Sequence, residues 1–124
     1  MKILLIIGTG GFLGTIARYL TTISVHKFLP VTFPYGTFIV NVLGCFLIGI
    51  FYGLSDRGSL MSSEWKLFLT VGFCGGFTTF STFANDNMAL LRDSEFLYFA
   101  LYTGLSVMLG LMATYLGNAL TKLV

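Results

Sequence analysis

Three long stretches of this chain carry no charged side chain: between Lys27 and Asp56, between Lys66 and Asp86, and between Glu95 and Lys122. A helix needs roughly 20 apolar residues to cross a hydrocarbon core about 30 Å thick, and each stretch is close to or above that length. A fourth, weaker segment runs from Ile3 to about Ser24, with Arg18 near its end. The pattern predicts an all-α integral membrane protein with four transmembrane helices. It leaves a single four-helix domain over residues 1–124 and no room for a second.

A soluble bundle of apolar helices is the alternative to exclude. Soluble domains carry about 25% charged residues because their surface faces water; this chain carries 10%, with 56% hydrophobic residues and a mean hydropathy of +0.88. Segments such as Phe38–Tyr52 and Leu97–Leu116 have no continuous polar face to turn outward. A signal peptide at the start is excluded because the apolar run Ile3–Ile7 is too short before the glycines begin.

The expected elements follow from punctuation. Helix one covers about Ile3–Thr22, and its Gly8, Gly10, Gly11 and Gly14 permit close helix contact. His26–Tyr35 is a loop broken by Pro30 and Pro34, with His26 solvated at the interface. Helix two covers about Gly36–Leu54, entered through Pro34. After a loop at Ser55–Ser63, with Ser63 as N-cap and Glu64 against the positive helix end, helix three covers about Glu64–Leu91. Its centre, Gly72, Gly75 and Gly76 followed by Thr78, Thr79, Ser81 and Thr82, predicts a mid-membrane break. The short loop Arg92–Glu95 makes helix four, about Phe96–Asn118, its antiparallel neighbour.

Four spans put both termini on one side. Lys2, Arg57, Lys66 and Lys122 share it; Lys27 and Arg92 lie opposite, with Arg18 if it snorkels. So even a split gives little positive-inside bias, as expected of a subunit that inserts both ways round and pairs head to tail. There is no basic stripe or polybasic cluster, which argues against nucleic acid as a partner. Cys45 and Cys74 read as packing residues within the spans. The early glycines resemble a dinucleotide turn, but the spacing misses and no βαβ unit or following acidic residue is present. With no carboxylate pair, metal-ligand cluster or nucleophile–base pair, the chain does not read as an enzyme.

Polar residues nevertheless line up inside the spans. Thr37, Asn41 and Gly44 share one face of helix two; Thr103, Ser106, Gly110, Thr114 and Gly117 share one of helix four. Interhelical hydrogen bonding and a polar track for a small hydrated solute both account for them. Phe73, Phe77, Phe80 and Phe83 form a stripe on helix three, and Phe80 and Phe83 are interleaved with hydroxyls. Such a stripe serves packing or lipid contact; alternatively its positive ring edges coordinate a small anion loosely enough to release it.

The run Gly75-Gly76-Phe77-Thr78-Thr79-Phe80-Ser81-Thr82-Phe83 closely resembles the signature of the small microbial fluoride channels, the Fluc or CrcB family. The resemblance extends over Gly10-Gly11-Phe12-Leu13-Gly14-Thr15-Ile16-Ala17-Arg18-Tyr19 and Tyr35-Gly36-Thr37-Phe38-Ile39-Val40-Asn41-Val42-Leu43-Gly44, and so over nearly the whole chain. It implies a passive fluoride channel in the inner (plasma) membrane of a microbe, exporting fluoride through two pores of an antiparallel dual-topology homodimer. It further implies that Phe80 and Phe83 line the path, with Asn41, Thr37, Ser81, Thr82 and Ser106 nearby and Tyr102 against the phenylalanines. Arg18 would lend positive potential to a vestibule. A structural sodium ion at the dimer centre would be held by the carbonyls of Gly75 and Thr78. Gly110 stands where some members have a polar side chain, and Asp86 has no role in this picture beyond a vestibule wall. A small multidrug exporter, similar in size, needs a carboxylate in the first helix, and Ile3–Thr22 has none. A structural or assembly subunit would account for the packing but not for the polar faces and phenylalanines.

Overall fold

The computed structural model describes residues 1–57 and 61–123; part of the expected Ser55–Ser63 loop, residues 58–60, lies outside them, as does residue 124. Helix α1 spans Lys2–Phe28 and α2 spans Tyr35–Ser55. The third span, Ser63–Arg92, is assembled from α3 (Ser63–Lys66), a π-helical stretch (Leu67–Cys74), α4 (Gly75–Phe77) and α5 (Phe80–Arg92). Helix α6 (Phe96–Leu120) closes the chain with a 3-10 turn at Thr121–Leu123. The described residues contain no strand. All four spans are long and apolar enough to cross a membrane. Large apolar side chains such as Leu4, Phe12, Leu97, Leu111 and Tyr115 are exposed along them, which only a lipid or protein neighbour satisfies. The chain is a multi-pass membrane protein.

Helix α1 runs past the expected end at Thr22, so the loop expected from His26 begins only at Leu29. Nothing between Ser24 and Phe28 breaks a helix; the terminator is Pro30, which pushes Leu29 into extended backbone (φ −120°, ψ 144°). His26 is therefore not a solvated loop residue. It sits on α1, and its Nε2 accepts from the Gly36 N–H at 3.2 Å, satisfying one of the amides that every helix N-terminus leaves free. The N-cap of the third span is Ser62 rather than Ser63: its hydroxyl accepts from the Trp65 N–H at 3.3 Å. The π-helical turns were not foreseen; within them the Thr70 hydroxyl donates back to the Lys66 carbonyl at 2.6 Å, competing with the regular ladder.

The spans pair as α1 with the first half of the third, and α2 with α6. Small residues set both approaches. A side chain at Gly10 or Gly14 would strike the backbone of Phe68 or Phe73, and one at Gly76 would strike the Gly11 carbonyl. Gly8 is different, with open space around it in this chain. Between α2 and α6, Gly49 lies on Thr114 and Gly117 on Phe46, while the Thr114 hydroxyl donates to the carbonyls of Cys45 (3.1 Å) and Gly110 (3.0 Å). The lower part of the expected polar face on helix four is thus used for helix packing. Cys45 and Cys74 are free thiols, Cys74 buried, in keeping with a packing role.

One cluster of the core is largely aromatic. Phe33, Leu90 and Tyr102 are buried together, with Tyr35, Phe38, Phe83, Tyr98 and Phe99 packed around them. The turn between α5 and α6 is tight, with Ser94 at φ 59°, and brings the two helices back antiparallel.

Candidate functional site

The expected break in the third span is present, and its position is specific. The glycines Gly75 and Gly76 remain helical; Thr78 (φ −84°, ψ 156°) and Thr79 (φ −151°, ψ 118°) are the extended residues. The backbone that the break frees at Thr79 is matched across the chain by Asn41, whose amide Nδ2–H donates to the Thr79 carbonyl at 3.0 Å and whose Oδ1 accepts from the Thr79 N–H at 2.8 Å. Helix α5 then restarts with Thr79 as its N-cap, the hydroxyl accepting from the Thr82 N–H at 3.2 Å. The same hydroxyl donates to Thr82 Oγ1 at 3.1 Å and shares a 3.4 Å contact with Ser81 Oγ.

The break also resets the helical phase, so the four phenylalanines do not form one stripe. Phe77 is buried and stacks with Phe73, ring centres 5.8 Å apart. Phe80 and Phe83 belong to a second pair, 5.8 Å apart and tilted by 41°. Phe80 is 79% exposed, whereas Phe83 leans on Tyr102 with a centroid distance of 4.9 Å.

Two clefts open on either side of the Asn41–Thr79 link. The first, about 310 Å³, is lined by Asn41, Gly44, Cys45, Thr78, Thr79, Phe80, Phe83 and Ser106 together with Ile48 and Val107. It has no charged wall, and Ser106 Oγ is a buried hydroxyl without a partner. The second, about 290 Å³, collects Thr15, Arg18, Thr22, Thr37, Thr79 and Thr82 beside Tyr19 and Val40. The anticipated residues therefore divide: Phe80, Phe83, Asn41 and Ser106 in one cleft, Thr37, Thr82 and Arg18 in the other. Ser81 is exposed on the outer side, and Tyr102 is fully buried behind Phe83. Gly110 is buried, a side chain there meeting Cys45 Sγ; it contributes packing and no polar group.

Asp86 is the residue that sequence reasoning left without a role. Its Oδ2 accepts from the Tyr102 hydroxyl at 2.9 Å. The signal was present: Asp86 and Tyr102 lie at equal distances on either side of Ser94, the tip of the turn joining two antiparallel helices.

The break also bears on a cation. The amide hydrogens that a continuous helix would give to the carbonyls of Gly75 and Thr78 belong to Thr79 and Thr82, and both go elsewhere, to Asn41 Oδ1 and Thr79 Oγ1. Gly75 is exposed on the chain's surface. Two carbonyl oxygens freed from the ladder are hard donors that suit a hard cation, so the residues present fit a sodium ion.

Comparison with known proteins gives one consistent result. The family model described as CrcB-like protein, Camphor Resistance (CrcB), matches residues 5–118. The chain is 48% identical over 122 residues to the "Fluoride-specific ion channel FluC" of Flavobacterium psychrophilum, covering 98% of each chain. It is 50% identical over 123 residues to the protein of the same name from Bacteroides fragilis, covering 97% of this chain and 96% of the relative. A third relative of that name, from Chlorobaculum tepidum, is 48% identical over 123 residues, with 99% and 97% covered.

Proposed function

This chain belongs to the CrcB-like family, and from that premise we propose that it is a passive, selective fluoride channel that exports fluoride from the cytoplasm. Its relatives are named as ion channels, not enzymes. The observation that carries the reading is the first cleft, where the rings of Phe80 and Phe83 stand beside the Asn41 amide and the unpartnered Ser106 hydroxyl with no charge among them.

Fluoride is small and strongly hydrated, so a pore must replace its water with many weak donors. Asn41 spends one amide hydrogen on Thr79 and keeps the other. Ser106 supplies a hydroxyl in the first cleft, Thr37 and Thr82 supply theirs in the second, the exposed Ser81 adds one from outside both, and the positive ring edges supply the rest. None of these groups is ionised, so the site binds weakly enough to release its ion. Chloride is larger and less hydrated, and a narrow track of this kind rejects it by size. Hydrogen fluoride crosses membranes neutral and dissociates inside; the membrane potential, about 2.3 kcal/mol per charge per 100 mV, then drives the anion out through a passive path.

A single chain does not enclose this path. Phe80 is exposed and its cleft is open on one side, which supports an antiparallel homodimer whose second copy supplies the missing wall, with two pores per dimer. The even charge split supports insertion in both orientations. The carbonyls of Gly75 and Thr78 from both copies would hold a structural sodium ion at the dimer centre, where it would supply a fixed positive charge. Arg18, in the second cleft with Thr37 and Thr82, lends positive potential at the mouth. The test is fluoride efflux from liposomes loaded with fluoride or chloride, with a potassium ionophore supplying counter-charge. Rapid fluoride release with negligible chloride release is expected; equal release of both, or of neither, rejects the reading.

A further inference from the structure

We propose that His26 is a proton-operated positioning residue for the ion path: neutral, it caps α2 and holds Thr37 on the wall of the second cleft, and protonated, it lets go. The proposal rests on the channel reading above. Helix α2 starts without help from its own neighbourhood. Its N-cap Pro34 makes no side-chain hydrogen bond, and the first amides of any helix lack an internal acceptor. The cap comes from α1 instead, where His26 Nε2 accepts from the Gly36 N–H at 3.2 Å. The approach is possible because residue 36 is glycine: a Cβ there would stand 2.8 Å from both His26 Nε2 and Thr22 Cγ2.

This bond closes one end of the second cleft. Arg18, Thr22 and His26 succeed one another every fourth residue on α1 and so lie one above the next, and the first two line the cleft. Opposite them, Gly36 is followed directly by Thr37, which is buried and lines the same cleft. An imidazole that accepts through Nε2 carries its one proton on Nδ1. Once protonated it donates from both nitrogens, and Nε2–H faces the Gly36 N–H with no acceptor between them. Little else holds the ring, since Nδ1 is buried without a partner. The other charged or titratable groups on the packed elements are Arg18 and Lys27 on α1, Tyr35 beside Gly36 on α2, and Asp86 one turn beyond Thr82 on α5. Asp86 is engaged by the Tyr102 hydroxyl, and among the described residues no carboxylate forms an ion pair with His26.

The test records fluoride current through full-length, untagged protein in planar bilayers, where neutral hydrogen fluoride carries no current. Both sides are set to about pH 8 and then to about pH 5, the window in which histidine as a residue type changes charge. Wild-type current should fall about fivefold in acid, one hydrogen bond expressed as a rate ratio. His26→Gln places a carbonyl that does not titrate where Nε2 stood; its current should stay within about twofold of the wild-type value at the higher pH, in acid as well. His26→Phe has no acceptor and should be about fivefold slower at both settings. Every other titratable group remains in His26→Gln, so an acid fall that survives there overturns the proposal. A wild-type current that rises in acid overturns it in favour of added charge near Arg18, and a flat one shows that the path does not depend on the cap. If His26→Phe does not fold, wild type and His26→Gln decide by the same criteria. His26 is the only histidine in the chain, so a nitrogen-15 imidazole spectrum reports on it directly. The Nδ1–H tautomer is expected at the higher pH. A protein that shows it but passes no fluoride sinks the channel reading and leaves the cap intact; fluoride current with the Nε2–H tautomer sinks the cap alone.

Discussion

The carboxamide of Asn41 engages both sides of the Thr79 peptide, at 3.0 Å to its carbonyl and 2.8 Å from its N–H, across 38 residues of sequence. A chain that interrupts a helix inside a membrane has no water to satisfy the freed groups, and this one side chain satisfies two of them. Asn41→Ala removes both bonds. Each buried group left unpaired costs about 1–3 kcal/mol, so the variant should lose about 2 kcal/mol or more of stability, read as a lower unfolding midpoint in detergent. An unchanged midpoint means the break is held by something other than Asn41.

The glycines of α1 are not equivalent. At Gly14 a methyl group would collide with the Phe73 carbonyl, whereas at Gly8 it meets nothing within 4 Å. Gly14→Ala should therefore push α1 off the third span and sharply lower the unfolding midpoint. Gly8→Ala should be neutral or stabilising by up to about 1 kcal/mol, the helix propensity gained. Equal damage from both substitutions locates Gly8 against a second chain.

Much of this architecture was legible in the sequence, because lipid tolerates few charges and the three uncharged stretches mark their own spans. The break was legible as well, from glycine beside threonine, but not which residues would make it. Gly75 and Gly76 stay helical, with Gly76 pressed on α1, while Thr78 and Thr79 open where Asn41 takes over the backbone, and no local rule sees a contact that distant. The phenylalanine stripe failed for the same reason: counting turns through Thr78–Thr79 assumes a phase that the break discards. His26 was misplaced because it stands near two prolines, yet a proline stops a helix only at its own doorstep. The division of the candidate path between two clefts was beyond sequence reasoning, since it follows from the Asn41–Thr79 link between residues 38 apart in the chain.

The even distribution of Lys and Arg between the two sides leads to a topology experiment. A tag at the C-terminus should be reached by impermeant reagents from both faces of the membrane in comparable amounts, and added lysines at Lys2 or Lys122 should shift the ratio toward that end facing the cytoplasm. Near-complete labelling from one face, unmoved by added charge, rules out dual orientation.

The carbonyls released at Gly75 and Thr78 lead to a cation experiment. A ligand that binds only the folded state raises its apparent stability with concentration. The unfolding midpoint should therefore fall when sodium is replaced by a bulky organic cation such as N-methylglucamine at equal ionic strength, and recover on adding sodium back. No dependence on the cation removes the sodium site.

Phe80 and Phe83 differ in burial, and the difference separates a role in conduction from a role in packing. Phe80 projects from the chain at 79% exposure, so Phe80→Ile, which keeps most of the bulk and removes the ring edge, has little to disturb within the fold. Phe83 lies 4.9 Å from the buried Tyr102 ring, and Phe83→Ile also forfeits an aromatic contact of about 0.5–1.5 kcal/mol. Both substitutions should slow fluoride efflux strongly, at least tenfold, since each ring edge lost is a weak donor that isoleucine cannot supply and tenfold corresponds to about 1.4 kcal/mol of barrier. Only Phe83→Ile should also lower the unfolding midpoint of the detergent-solubilised protein. If efflux falls in proportion to the midpoint, with Phe80→Ile harmless to both, the rings are packing residues and the path lies elsewhere. Lost efflux at an unchanged midpoint for Phe80→Ile is the outcome that packing cannot produce, because losing a ring on which its own chain or a second copy leans would lower the midpoint as well.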